Sequence, residues 1–175
     1  LSANSTSGAF EVTNSCRFDT NASMTKTSST GSNTKSTFSA WVKRSKLGAE
    51  QKIFNFTGGS NNFNIEFKST DILAVSSFDG ASQMNLRPTR VFRDVSAWYH
   101  ILAVWDTTNG TEANRLKLYL NGVLDCSYTV DIRLDTNNAA LTIGGRGDAA
   151  YSLNGKISNV IIYNDVLTYE EIYKL

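Results

Sequence analysis

Apolar residues recur at every second position in several stretches of this chain, and that period limits the fold more than any other feature. In RLKLYL, Leu116, Leu118 and Leu120 alternate with Arg115, Lys117 and Tyr119. In NFNIEF, Phe63, Ile65 and Phe67 face one way and Asn62, Asn64 and Glu66 the other. In STFSAWVK, Phe38, Ala40 and Val42 share a face and Trp41 takes the opposite one. A period of two belongs to strands, because successive side chains point to opposite faces of a sheet. Strands apolar on one side only belong to antiparallel sheets with one packed face. The stretch WYHILAVWD differs. Tyr99, Ile101, Ala103 and Trp105 share one face, Trp98 and His100 the other, and both faces are largely apolar. That pattern suits a central strand.

Turn chemistry agrees. Asn121-Gly122 separates two strand-like runs, and a two-residue hairpin of type I′ needs positive φ at both central positions. Gly58-Gly59, Asp79-Gly80, Asn109-Gly110, Gly144-Gly145 and Asn154-Gly155 mark further turns. Short strands with frequent turns and no long helical period predict an all-β fold, a β-sandwich or barrel. One short C-terminal helix is expected from LTYEEIYKL. Thr168 as N-cap with Glu171 three residues on makes a capping box, and Leu167 and Ile172 occupy the staple positions.

The length of 175 residues suits one domain. Residues 1–8 read as a small, polar lead-in and 9–175 as the domain; Thr20 to Ser36 reads as a surface loop or exposed edge. Because the chain begins at Leu1, a piece of a longer protein or a processed product is expected. Hydrophobic residues make up 41%, enough for a core. The net charge of +1 gives no bulk reason to expect a nucleic-acid partner. No apolar run approaches the roughly 20 residues of a membrane span, so no membrane insertion is expected. Cys16 and Cys126 are the only cysteines, too few for a disulfide framework or zinc site. Both are expected to be free and buried, Cys16 because it alternates with Phe18. His100, the only histidine, lacks a paired nucleophile, and a structural, hydrogen-bonded role is expected for it.

Three stretches taken in order carry a resemblance: CRFDTNASMTKT with STFSAWVKRSKLG, then SAWYHILAVWDTTNGTEANRLKLYLNGVLD, then LTIGGRGDAAYSLNGKISNVIIYNDVLTYEEI. Together they resemble the laminin-G-like branch of the concanavalin A-like lectin/glucanase superfamily, over roughly Ala9 to Leu175. The phrasing is most similar to such domains in tail fibres and other virion surface proteins of tailed bacteriophages. The resemblance implies a jelly roll of two antiparallel sheets, one concave and one convex. It implies glycan binding or protein adhesion and, in relatives with suitable carboxylates, polysaccharide cleavage.

Cleavage needs two carboxylates about 5–10 Å apart across the scissile bond. The glutamates here, Glu11, Glu50, Glu66, Glu112, Glu170 and Glu171, do not form the alternating acidic run of the glucanase relatives. Nor does the chain carry the arginine and glutamate cluster of the lyase relatives. A non-enzyme is expected.

Arg146-Gly147-Asp148 is an integrin-binding string. It falls between two strand-like runs, where glycines ease a turn, and it reads as an ordinary connecting loop. In relatives that loop runs along the rim where ligands lie. Arg146, Asp148 and Tyr151, with Asn109, are therefore candidate ligand contacts. The resemblance also implies calcium at the rim, with Asp79, Asp106 and Asp148 as candidate ligands. Trp41, Trp98 and Trp105 are candidate stacking residues only if exposed.

The resulting expectation is a non-catalytic adhesion domain on a virion or other extracellular surface, binding host-surface glycan. A structural virion module, for capsid decoration or fibre spacing, is the alternative. Other virion proteins and a second copy of the chain are possible partners.

Overall fold

The computed structural model of the protein describes residues 14–27, 34–58, 61–79, 83–128, 140–146 and 151–172. Within them the chain forms β1 (Cys16–Phe18), β2 (Met24–Thr27), β3 (Lys35–Arg44), β4 (Gln51–Gly58), β5 (Asn61–Phe67) and β6 (Leu73–Asp79). It continues through β7 (Gln83–Leu86), β8 (Tyr99–Asp106), β9 (Leu116–Leu120), β10 (Val123–Tyr128), β11 (Ala140–Ile143) and β12 (Gly155–Tyr163). Two six-stranded sheets result. Sheet A runs β1-β12-β3-β8-β9-β10 and sheet B runs β2-β11-β4-β5-β6-β7. The strand pairs within both sheets are antiparallel. The chain is thus an all-β two-sheet sandwich.

The alternation in the sequence is what fills the space between the sheets. Phe38, Ala40 and Val42 of β3, Ile101, Ala103 and Trp105 of β8, and Leu116, Leu118 and Leu120 of β9 are buried on the inner face of sheet A. Phe54 and Phe56 of β4, Phe63, Ile65 and Phe67 of β5, and Leu73 and Val75 of β6 meet them from sheet B. The sheets interlock through aromatic pairs, Phe38 with Phe54 and Phe63 with Trp105, each with ring centroids 4.8 Å apart. Such pairs add to the burial of area alone. Strand β8 lies inside sheet A, as its two apolar faces predict: Leu102 and Val104 are buried on the outer side, beneath Tyr119, Ile161 and Leu167.

One end of the sandwich is pinned by charge. Arg44, at the end of β3, places one guanidinium nitrogen 3.1 Å from Asp71 Oδ1 and donates from another to the Phe92 carbonyl at 2.7 Å. The backbone N–H of Gly48 and the Arg93 Nε also donate to Asp71. These hydrogen bonds and charges hold the Asp71 carboxyl below its ordinary range. The guanidinium lies over the Phe67 ring, 4.3 Å from its centroid. A buried arginine is tolerable only with such partners.

The turn at Asn121-Gly122 has φ of 48° and 83°, the double positive that the dipeptide predicts. The expected exposed edge within Thr20–Ser36 is β2, whose four residues are all exposed at the margin of sheet B. The C-terminal expectation is reduced. In the C-terminal stretch a single turn, Tyr169–Ile172, is helical among the described residues, so the expected C-terminal helix is not supported. Its capping box does form: Glu171 accepts from the Thr168 N–H at 2.7 Å, and the Glu171 N–H donates back to Thr168 Oγ1. Residues 1–8 lie outside the described part.

Cys16 departs from expectation. Both cysteines are free, but Cys16 is exposed and Cys126 half-buried. Cys16 does share parity with Phe18, which is buried. Yet β1 is a three-residue edge strand, paired only with β12, and it covers the core only at its Phe18 end. Burial raises the Cys126 thiol to about 11, with the nearby Asp125 charge adding to it.

Candidate functional site

The outward face of sheet B carries a connected polar network. Register sets it up: Lys52 faces Glu66, Asn55 faces Asn64, and Asn64 faces Ser76. Lys52 Nζ donates to Glu66 Oε2 at 2.7 Å and Ser76 Oγ donates to Glu66 Oε1 at 3.2 Å. Lys68 Nζ lies 2.5 Å from Glu66 Oε1 and donates to Glu50 Oε1 at 2.6 Å. Glu66 is only 1% exposed. Burial alone would raise its carboxyl, but the hydrogen bonds and charges of Lys52 and Lys68 reverse this and hold it below the ordinary value. For Lys68, burial would lower the ammonium, and Glu50 and Glu66 instead hold it raised. Glu66 is thus kept ionised and acts as an acceptor that fixes two lysines. A general acid needs the opposite shift.

The network continues along the face. Asn55 Nδ2 donates to Asn64 Oδ1 at 2.5 Å, and Asn64 Nδ2 donates to Asn62 Oδ1 at 3.0 Å and towards Ser76 Oγ at 3.4 Å. Asn55 and Asn64 are buried; Asn62, Ser76 and Phe78 are half-buried. The deep amides therefore hold the shallower ones in fixed orientations, which is what a preorganised polar surface requires.

Tyr151 closes one end of this face. Its ring lies 5.4 Å from Lys52 Nζ and 5.1 Å from the Arg146 guanidinium carbon, both at cation–π distance. The residue is 40% exposed and holds φ of 63°, uncommon for a bulky side chain. Its carbonyl accepts from the Lys52 N–H at 2.8 Å, and Ser152 bridges Lys52, so the strained residue is anchored to β4. Gly144 makes the approach possible. It has φ of 80°, its N–H donates to the Ile53 carbonyl, and a Cβ there would come within 2.1 Å of the Phe18 ring.

The residues singled out from sequence fall in different places. Arg146 and Tyr151 meet at the end of the sheet B face. Asp148 lies outside the described residues. Asn109 sits in the β8–β9 connection, where its side chain accepts from the Thr111 N–H and its carbonyl from Arg115 Nε. Asp106 ends β8; one oxygen accepts from the Thr108 N–H and hydroxyl, and the other lies 3.7 Å from Lys35 Nζ. Asp79 ends β6, and its side chain is outside the described part. Among the described residues no cluster of three acidic, histidine or cysteine side chains could hold a metal ion. His100 lies on the outward face of sheet A, 2.8 Å from Ser39 Oγ through Nε2, with the Trp41 ring 5.0 Å away. Trp105 belongs to the core.

Lys52, Glu66, Lys68, Asn55, Asn64, Ser76 and Phe78 were not identified from sequence. The alternation in NFNIEF did place Asn62, Asn64 and Glu66 outward. It could not show that Lys52, fourteen positions earlier, would lie opposite Glu66.

The family model Laminin_G_3, described as the concanavalin A-like lectin/glucanases superfamily, matches residues 18–173. No curated protein matches the chain. Among solved structures, domain 4 of AbnA, an extracellular arabinanase from Geobacillus stearothermophilus, in complex with arabinotriose, is 21% identical with a TM-score of 0.67. That match covers 82% of this chain and 66% of the other. The CBM40 of the Ruminococcus gnavus IT-sialidase, bound to α2,3 sialyllactose, is 18% identical with a TM-score of 0.65, over 89% of this chain and 98% of that one. A heptameric SAP-like pentraxin from Limulus polyphemus is 18% identical with a TM-score of 0.59, over 82% and 70%. At these identities the structures establish a shared fold.

Proposed function

The chain belongs to the concanavalin A-like lectin/glucanase superfamily, and from that premise we propose that it is a non-catalytic glycan-binding domain whose site is the outward face of sheet B. The observation that carries this reading is Tyr151: a partly exposed ring, held in a strained backbone conformation between Lys52 and Arg146, beside a preorganised polar network. A sugar offers an apolar face to such a ring and hydroxyls to the polar groups around it. Strained backbone positions cluster at ligand-binding sites, which supports this reading. Solved relatives caught with arabinotriose and sialyllactose support the ligand class. The ionised, doubly clamped Glu66 supports binding over hydrolysis.

The finer setting is an extracellular or virion surface, with host-surface glycan as ligand and many copies giving avidity. It rests on the phage-like phrasing of the sequence. Calcium at the rim belongs to the same proposal and turns on Asp79, Asp106 and Asp148. A structural module is the second reading, favoured by the exposed Val123 and Leu124 on β10, an edge strand of sheet A.

The test is binding of the purified domain to an array of bacterial, plant and sialylated glycans, with calcium and again with chelator. Tyr151→Ala should weaken a bound glycan at least about tenfold with an unchanged melting temperature. Loss on chelation would support the calcium site. No binding to any glycan by folded, multimerised domain would remove the reading in favour of the structural module.

A further inference from the structure

Tyr151 is not the only aromatic side chain on this face. Phe78 projects outward from β6, two residues beyond Ser76, and it is half-buried. It pairs across the ladder with Asn62, the last member of the amide chain. The polar network therefore runs from Tyr151 through Lys52, Glu66, Ser76, Asn64 and Asn62 and ends beside a second ring. Its length follows from sheet geometry. Lys52 and Phe78 lie two strand spacings apart in one direction and four residues apart in the other, about 17 Å on a regular sheet.

That distance exceeds one sugar ring. A single terminal sugar stacked on Tyr151 would leave Asn62, Ser76 and Phe78 without contact. From this juxtaposition, and resting on the glycan reading above, we propose that the face binds an extended internal stretch of a linear glycan. Tyr151 and Phe78 are the two stacking platforms, and Asn62 and Ser76 contact the hydroxyls between them.

The experiment is titration calorimetry with arabino-, xylo- and cello-oligosaccharides, each from the monosaccharide to the hexasaccharide, alongside sialyllactose. For a series that binds, affinity should rise with length and level off at about four units, a span set by the two platforms. Phe78→Ala should erase most of that gain, about tenfold on the hexasaccharide, and leave the disaccharide nearly unchanged. Asn62→Ala, an exposed-face change with little bearing on folding, should act in the same direction. Melting curves of each variant separate loss of site from loss of fold. Equal affinity for disaccharide and hexasaccharide, or a Phe78→Ala variant that keeps the full length dependence, would overturn the extended-site proposal while leaving glycan binding standing. Tight binding of sialyllactose with no length effect would do the same. Absence of binding by every oligosaccharide would remove both readings together.

Discussion

Acidification should weaken this fold through one imidazole before any carboxylate is involved. His100 is 4% exposed, and burial lowers its pKa from 6.5 to about 4. Between those values the unfolded chain takes up a proton at His100 that the folded chain refuses. Stability therefore rises with pH through that window and falls as pH drops through it. With the two pKa values, the loss between pH 7 and pH 5 is about 2 kcal/mol, growing to about 3 kcal/mol below pH 4. Glu66, Asp71 and Asp106 have lowered values, so their stabilisation is complete above the ordinary carboxylate range and is lost only below it. The region from pH 5 to 6.5 thus isolates the histidine. Urea denaturation followed by tryptophan fluorescence at pH 7, 6 and 5 measures the slope. His100→Gln keeps an amide near Ser39 but does not titrate, and its stability should be nearly flat across the same range. Equal slopes in both proteins, or an NMR titration of folded His100 with a midpoint above 6, would refute the reasoning.

Other perturbations act on different parts of the fold. Asp71→Asn should cost about 3–5 kcal/mol in a urea unfolding curve, because it leaves the Arg44 guanidinium buried without its carboxylate. Gly155→Ala should cost about 2–3 kcal/mol by the same measurement, since the new methyl would sit 2.1 Å from the Lys43 carbonyl oxygen on the neighbouring strand. Cys16 should react with iodoacetamide at pH 8 at least about tenfold faster than Cys126, read by peptide mass spectrometry. The first is exposed; the second is half-buried with its thiol held near 11. Equal labelling rates would contradict both placements.

What the sequence could reveal was set by the range of each interaction. Alternation is local, so Phe63, Ile65 and Phe67 announce an inner face and Asn62, Asn64 and Glu66 an outer one from six consecutive letters. The Asn121-Gly122 turn is equally local, and both φ angles are positive as the dipeptide requires. Parity fails where a strand is too short to span the core, which is why Cys16 is exposed although Phe18 is buried. The site is a matter of register. The residues flanking Glu66 in sequence are neutral, yet Lys52 across the β4–β5 hairpin and Lys68 both reach it. Arg146 meets the Tyr151 ring because Gly144 turns with positive φ over Phe18 and Ser152 joins β4. Residues that build a face can thus be read one strand at a time, but a network across it exists only once the pairing is fixed. The β4–β5 pairing sets Lys52 opposite Glu66 and the β5–β6 pairing sets Phe78 opposite Asn62, so a one-residue slip between β5 and β6 would turn Phe78 into the core and break the polar track at its middle. Stability of the sandwich and geometry of the candidate site therefore rest on the same two registers.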